Sequence, residues 1–194
     1  KLAKRTKTRR QRYEEKKKDA KTYPISLCAI NFMHDGNLGY LVRSAACFGA
    51  ECVHVIGSIP SNKTLNPSSG SLTDYVKIIQ HENPSDFLAY ANKNNYEVVS
   101  AELSHDSTPI NSCSFSFDRH MCVVVGNEET GVPAEILNKS TIVHIPMPGV
   151  GYCLNTSQTA NIMMYELTKQ YDRHEQNMNG YGYYICNGKI MNSF

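Results

Sequence analysis

The chain has 194 residues, 41% of them apolar and 20% charged. That is the size and composition of one globular domain with a substantial core, and it excludes a metal-stapled miniature. No apolar run approaches the ~20 residues of a membrane-spanning helix, and the Lys/Arg-rich start lacks the apolar segment of a secretory signal. The expectation is a cytoplasmic, intracellular protein with no membrane partner, nucleus and organelle being left open. Seven scattered cysteines (Cys28, Cys47, Cys52, Cys113, Cys122, Cys153, Cys186), with no CxxC and no His at zinc-finger spacing, predict free thiols and no metal. The net charge of +2 hides an asymmetry. Residues 1–21 hold eleven Lys/Arg against Glu14, Glu15 and Asp19, a charge of +8, and the rest of the chain holds nine against fifteen, a charge of −6. Such a block reads as a disordered or helical arm that contacts nucleic acid by displacing counterions from phosphates; a solvated tail or a nuclear localisation signal has the same composition.

In chain order, residues 1–22 form this basic arm, and short β-like runs alternate with helical or polar stretches after it. Residues 25–32 (ISLCAINF) predict a buried strand. Gly36 and Asn37 follow as turn and cap, and Leu38, Leu41, Val42, Ala45, Ala46 and Phe48 form a helical stripe that ends at Gly49. CVHVI at 52–56 is the next strand, while 60–72, rich in Ser, Asn, Pro and Gly, reads as a loop with one helical turn. A short strand at 76–79, a helix over 84–92 capped near Asn83, and a strand at 97–101 come next. MCVVV at 121–125 is the clearest buried strand and runs straight into Gly126-Asn127-Glu128-Glu129-Thr130-Gly131. A strand at 141–145 ends at Pro146, a Pro/Gly-rich loop covers 147–153, and a helix extends over 155–171. Residues 172–194, polar and rich in Asn, Gly and Tyr without a clear period, read as a tail. The alternation over 23–171 predicts an α/β domain with a mostly parallel sheet, whose ligands bind beyond the carboxyl ends of the strands.

Three strand-end segments carry chemistry. In the first, Asn37 sits at a helix start with Arg43 six residues on, ~9 Å along the axis, and a long guanidinium leaning back toward a helix N-terminus suits phosphate. An N-cap Asn and an unrelated surface Arg give the same pattern. In the second, Glu128 lies just past a buried strand between glycines that permit close backbone approach, although a carboxylate capping a helix before Val132-Pro133 explains it nearly as well. No Walker Lys and no GxGxxG accompany it, which argues against nucleoside triphosphates and dinucleotides. The third joins Ile145-Pro146-Met147 to Leu154-Asn155-Thr156-Ser157, where Thr156 or Ser157 is also a plain helix cap. His34 and His144 lie close to these segments and are read as ordinary loop and strand histidines.

Together, in this order and spacing, the segments resemble the SPOUT class of RNA methyltransferases, in the TrmH/SpoU branch that methylates ribose 2′-hydroxyls. Asn37, Gly39, Arg43 and Ala45, followed by Phe48-Gly49, are similar to its first motif. Val125-Gly126-Asn127-Glu128 with Gly131 is similar to the second, and Ile145-Pro146-Met147 with Leu154-Asn155 and Ser157 to the third. The resemblance covers residues 25–170. It implies a Rossmann-like, mostly parallel sheet with a C-terminal deep trefoil knot, a homodimer, and S-adenosyl-L-methionine (AdoMet) held mainly by backbone groups at Ala101, Gly126, Ile145 and Leu154. It implies catalytic roles for Arg43, Asn37, Glu128 and Asn155, with Arg43 acting on RNA held largely by the other subunit. The implied substrate is tRNA, guanosine 18 of the D-loop being the first expectation, with rRNA, or a non-catalytic RNA-binding protein of the same fold, as alternatives; no DNA is expected. One departure is Cys153, where many members carry a Ser, since a thiol is a weaker hydrogen-bonding group than a hydroxyl. A guanidinium holds its proton tightly, so Arg43 is expected mainly to anchor phosphate and stabilise a developing alkoxide, with Glu128 and Asn155 holding it in place.

Overall fold

The computed structural model describes residues 7–179, 183–186 and 189–192. Strands β1 (Ile25–Ile30), β2 (Cys52–Ile56), β3 (Lys77–His81), β4 (Glu97–Ala101), β5 (Thr108–Pro109), β6 (Met121–Val125) and β7 (Thr141–His144) form one sheet in the order β3-β2-β1-β6-β4-β7-β5. Every pairing in it is parallel. The central strands are buried on both faces, which is why they read as continuous apolar runs. Along β6, Met121, Val123 and Val125 enter one core while Cys122 and Val124 enter the other, the alternation that a pleated strand imposes.

Helices α2 (Asp35–Phe48), α3 (Asn62–Ser69) and α6 (Thr156–Asn179) lie on the first side. Leu38, Leu41, Val42 and Ala45 of α2 and Met163, Met164 and Leu167 of α6 pack there against Leu27, Val53 and Val123. Helices α4 (Pro84–Lys93) and α5 (Ala134–Leu137) cover the other side through Phe87, Leu88, Ala91 and Ile136. Each buried Leu, Ile, Val, Phe or Met among them contributes ~1.5–3 kcal/mol by leaving water. The cap of α4 follows its sequence: Asn83 Oδ1 accepts the Asp86 N–H at 2.9 Å, and Pro84, which has no N–H to lose, occupies the first turn.

Three expectations need correction. Residues 60–72 contain a full eight-residue helix rather than one turn, despite Pro67 inside it. Ser61 caps it, Gly70 ends it in a left-handed conformation, and Leu65, fully buried in the core that α2 shares, outweighs the poor propensity. Strand β5 is a two-residue edge too short to leave a pattern. The last helix continues to Asn179, because no Gly or Pro intervenes between Asn155 and Gly180, and a two-stranded antiparallel pair, β8 (Tyr183–Cys186) and β9 (Lys189–Asn192), follows within the segment read as a tail.

Of the basic arm, residues 1–6 lie outside the described residues. Arg9–Lys17 form helix α1 with a capping box, in which the Thr8 hydroxyl accepts the Gln11 N–H and the Gln11 side chain accepts the Thr8 N–H. The helix buries no side chain. It is held at its edge, where the Tyr13 hydroxyl donates to the Gly70 carbonyl (3.1 Å) and Tyr75 Oη donates to Glu14 (2.7 Å). Further on, Lys21 Nζ and Tyr23 Oη both meet the Asp172 carboxylate, at 2.6 and 3.0 Å.

Candidate active site

The carboxyl ends of β1, β4, β6 and β7 point the same way, so the four loops that leave them meet at one edge of the sheet. After β6 the chain makes a tight loop closed by reciprocal backbone bonds between Asn127 and Gly131 (3.1 and 3.0 Å). Asn127 Oδ1 accepts the N–H groups of Glu129 and Thr130, and its Nδ2 donates to the Asn31 carbonyl at 2.5 Å, fastening the loop to the exit of β1. Gly126 has no alternative here: a Cβ on it would lie 2.3 Å from the carbonyl carbon of Gly131. On the other flank Glu102, just past β4, accepts the Val132 N–H at 2.9 Å and the Leu103 N–H at 3.0 Å.

The loop presents Glu128 toward the start of α2. That helix is capped at His34 without any side-chain bond, and Glu128 fastens the residue that precedes the cap: Oε2 accepts the Met33 N–H at 2.9 Å. Oε1 accepts Asn37 Nδ2 at 2.6 Å. Burial alone would raise this carboxyl, but the N–H of Met33, the Asn37 amide and the backbone N–H groups of Glu128 and His34 outweigh it and hold the group below its ordinary range. Asn37 is therefore not the N-cap its position suggested. It sits within the first turn, 8% exposed, and its Oδ1 accepts Asn155 Nδ2 at 3.0 Å. Asn155 Oδ1 in turn accepts the Ser157 N–H (2.9 Å) and hydroxyl (2.6 Å), so Asn155, rather than Thr156 or Ser157, caps α6.

The chain of bonds has one self-consistent direction. An ionised Glu128 only accepts, so Asn37 must turn its NH2 toward it and its oxygen toward Asn155; Asn155 must then turn its own oxygen toward the Ser157 N–H. Side chains from three distant segments are thereby locked in rotamer and in amide orientation.

Two cavities open on either side of this network. The first, of about 460 Å³, is walled by Ala101, Gly126, Ile145 and Leu154, with Glu128 and Asn155 at its edge. Its volume falls within the ~300–1,000 Å³ usual for small-molecule sites. Cys153 is exposed on its wall. The second, of about 870 Å³, is lined by Asn37, Tyr40, Arg43, Ser44, Cys47 and Asn161 and shares Leu154 and Asn155 with the first. Arg43 is exposed there, and among the described residues it makes no hydrogen bond or ion pair. Glu128 thus grips Asn37 and Met33 rather than Arg43, contrary to expectation. Reasoning from sequence also passed over Glu102 and the fastening role of Asn127; the Gly-Asn-Glu run was the one signal for the latter. His144 is satisfied by the Ser107 hydroxyl at 2.9 Å, and His34 is exposed at the start of α2.

The profile of the SpoU rRNA Methylase family matches residues 24–165. The tRNA (guanosine(18)-2'-O)-methyltransferase of Escherichia coli K12 is 22% identical over 147 residues, 75% of this chain. The match spans 63% of that relative's length. The solved A. aeolicus TrmH/SpoU tRNA modifying enzyme superposes with a TM-score of 0.71 at 24% identity, over 88% of this chain and 87% of that one. The AdoMet-bound rRNA methyltransferase from Sinorhizobium meliloti does so with a TM-score of 0.69 at 20% identity, over 77% and 58%. At these identities the two structures establish a shared α/β fold.

Proposed function

The chain belongs to the SpoU rRNA Methylase family, and from that premise we propose that it transfers the methyl group of AdoMet to a ribose 2′-hydroxyl of RNA, with tRNA, at guanosine 18, as the first substrate to test. The observation that carries this reading is the Asn37–Glu128–Asn155 network set between two cavities, one sized for a small cofactor and the other open and containing Arg43. Residues 1–22 act as the arm that grips RNA and 23–171 as the catalytic unit, whose cavity-lining segments after β4, β6 and β7 belong to the trefoil knot of the fold.

The first cavity suits AdoMet in volume; Ala101, Gly126, Ile145 and Leu154 would hold it, and the carboxylates of Glu102, Glu128 and Glu129 on the lining would suit a cationic ligand. When bound, the cofactor supplies an electrophilic methyl group. The protein aligns the acceptor oxygen and helps to remove its proton, which calls for no metal and no covalent enzyme intermediate. Arg43 binds the phosphate beside the acceptor ribose and stabilises the alkoxide as it develops. Asn155, on the wall common to both cavities, and Asn37, on the wall of the second, fix the orientation of the ribose, and Glu128 holds Asn37 rigid. The exposed apolar side chains of Tyr40, Ile162 and Tyr165 on α2 and α6 support a homodimer.

The test is transfer of labelled methyl from AdoMet to unmodified total tRNA and, separately, to rRNA, with Arg43→Ala as control and nuclease mapping of the product. Arg43-dependent label at one 2′-O-methylated tRNA nucleotide is expected. Label confined to rRNA would replace the tRNA assignment, a reading supported by the family's description. Absence of AdoMet binding would overturn the catalytic proposal and favour an RNA-binding protein in which Cys153 marks lost activity.

A further inference from the structure

The arm and Arg43 converge on one residue. Gly70 ends α3 with φ +67°, a conformation that side chains disfavour. Its carbonyl accepts the Tyr13 hydroxyl at 3.1 Å. A methyl group built on it would lie 3.6 Å from that hydroxyl and 3.8 Å from Cζ and Nη1 of Arg43. The Tyr13 hydroxyl and the Arg43 guanidinium therefore both sit beside the open face of Gly70, the first bonded to its carbonyl. Among the described residues Arg43 makes no hydrogen bond or ion pair, and its guanidinium is placed beside Gly70. Tyr13 is itself braced, edge-on against Tyr75 with ring centroids 5.5 Å apart, while Tyr75 bonds Glu14 and Lys17 lies over its ring at 5.8 Å.

We propose that Tyr13 is a positioning residue for Arg43: by holding the Gly70 carbonyl it fixes the platform on which the guanidinium lies, so that docking of the basic arm and placement of Arg43 are one equilibrium. The inference rests on the reading of Arg43 as the arginine that faces substrate. It adds that the arm contributes to turnover as well as to grip. RNA held along α1 is delivered to an arginine that the same helix has oriented, whereas an undocked arm leaves Arg43 free to sample other rotamers.

Tyr13→Phe in the full chain keeps the ring on Tyr75 and removes only the bond to Gly70. The first readout needs no activity: the rate at which a dicarbonyl reagent modifies Arg43, measured by peptide mass spectrometry against Arg119 in the same digest. The ratio is expected to rise about fivefold, the factor carried by one hydrogen bond of ordinary strength. Tyr75→Phe, which loosens the brace without touching Tyr13, is expected to raise it less, and it answers the question if Tyr13→Phe fails to fold. The second readout is methyl transfer, in which Tyr13→Phe is expected to lower kcat several-fold at saturating RNA while KM stays close to wild type. Unchanged Arg43 reactivity in both variants, or an effect on KM alone, overturns the coupling. Failure of the wild-type chain to transfer methyl would overturn the proposed function instead, and the labelling ratio would still decide whether arm and arginine are linked.

Discussion

Acidification tests a feature remote from the site, the histidine sealed inside the sheet. His54 on β2 is fully buried, with Nδ1 at 2.9 Å from His81 Nε2 and Nε2 at 3.3 Å from Cys52 Sγ, and its ring lies among those of Phe87, Tyr90 and Tyr96. Burial foremost, then the neighbouring His81, His120 and Lys77, depress its pKa to about 3. The unfolded chain takes up the same proton near pH ~6.5. A depressed histidine contributes stability that is complete above the unfolded value and drains away as the pH falls, at ~1.4 kcal/mol per unit. Between pH 6.5 and 5 His54 alone should remove about 2 kcal/mol. His81 and His120, both lowered chiefly by burial, act with the same sign. Glu128, also held low, draws on a separate and more acidic window. The measurement is the urea midpoint at pH 7.5, 6.5, 5.5 and 5.0 at constant ionic strength, for wild type and for His54→Phe, whose ring suits the aromatic surroundings. The midpoint of wild type should fall steadily below pH 6.5 and the variant should show a shallower slope by about one proton. A flat profile, or equal slopes in the two proteins, would refute the assignment of a neutral, buried His54.

Other outcomes follow from the site. Glu128→Gln should reverse the amide chain: the new NH2 faces Asn37, which must flip, and Asn155 then flips and abandons the Ser157 N–H. Accelerated exchange of that amide, with a stability loss of ~1–3 kcal/mol, is expected; unchanged exchange would contradict the directional network. Gly126→Ala should abolish AdoMet binding measured by calorimetry, because a Cβ 2.3 Å from backbone forces the second loop out of place. Deleting residues 1–22 should weaken RNA binding and flatten its dependence on salt while leaving AdoMet affinity intact; equal RNA affinity at several salt concentrations would remove the arm from recognition.

Much of the fold was legible where burial is two-sided. CVHVI and MCVVV are legible to the residue because a strand packed on both faces reads as a near-continuous apolar run, interrupted here only by the buried His54. Helix α3 was misread because its local preferences are poor and only contact with α2, far from any local signal, makes Leu65 worth burying. At the site, the residue types were readable and their partners were not. Asn37 and Glu128 are 91 positions apart and Asn37 and Asn155 are 118 apart, distances over which periodicity and capping rules carry no information. Arg43 illustrates the same limit, since Gly70, beside its guanidinium, belongs to a segment that reads as a loop.

The one-way order of the amide chain also governs when the protein becomes competent. Asn155 and Ser157, its last two donors, follow every strand of the main sheet along the chain, so a chain ending before them contains all seven strand segments but lacks the partner of Asn37 Oδ1. In such a chain Glu128 still orients Asn37, but Asn37 Oδ1 has lost its donor and the wall that the two cavities share, Leu154 and Asn155, is missing. Completion of both cavities therefore waits for Leu154, Asn155 and the helix that follows them.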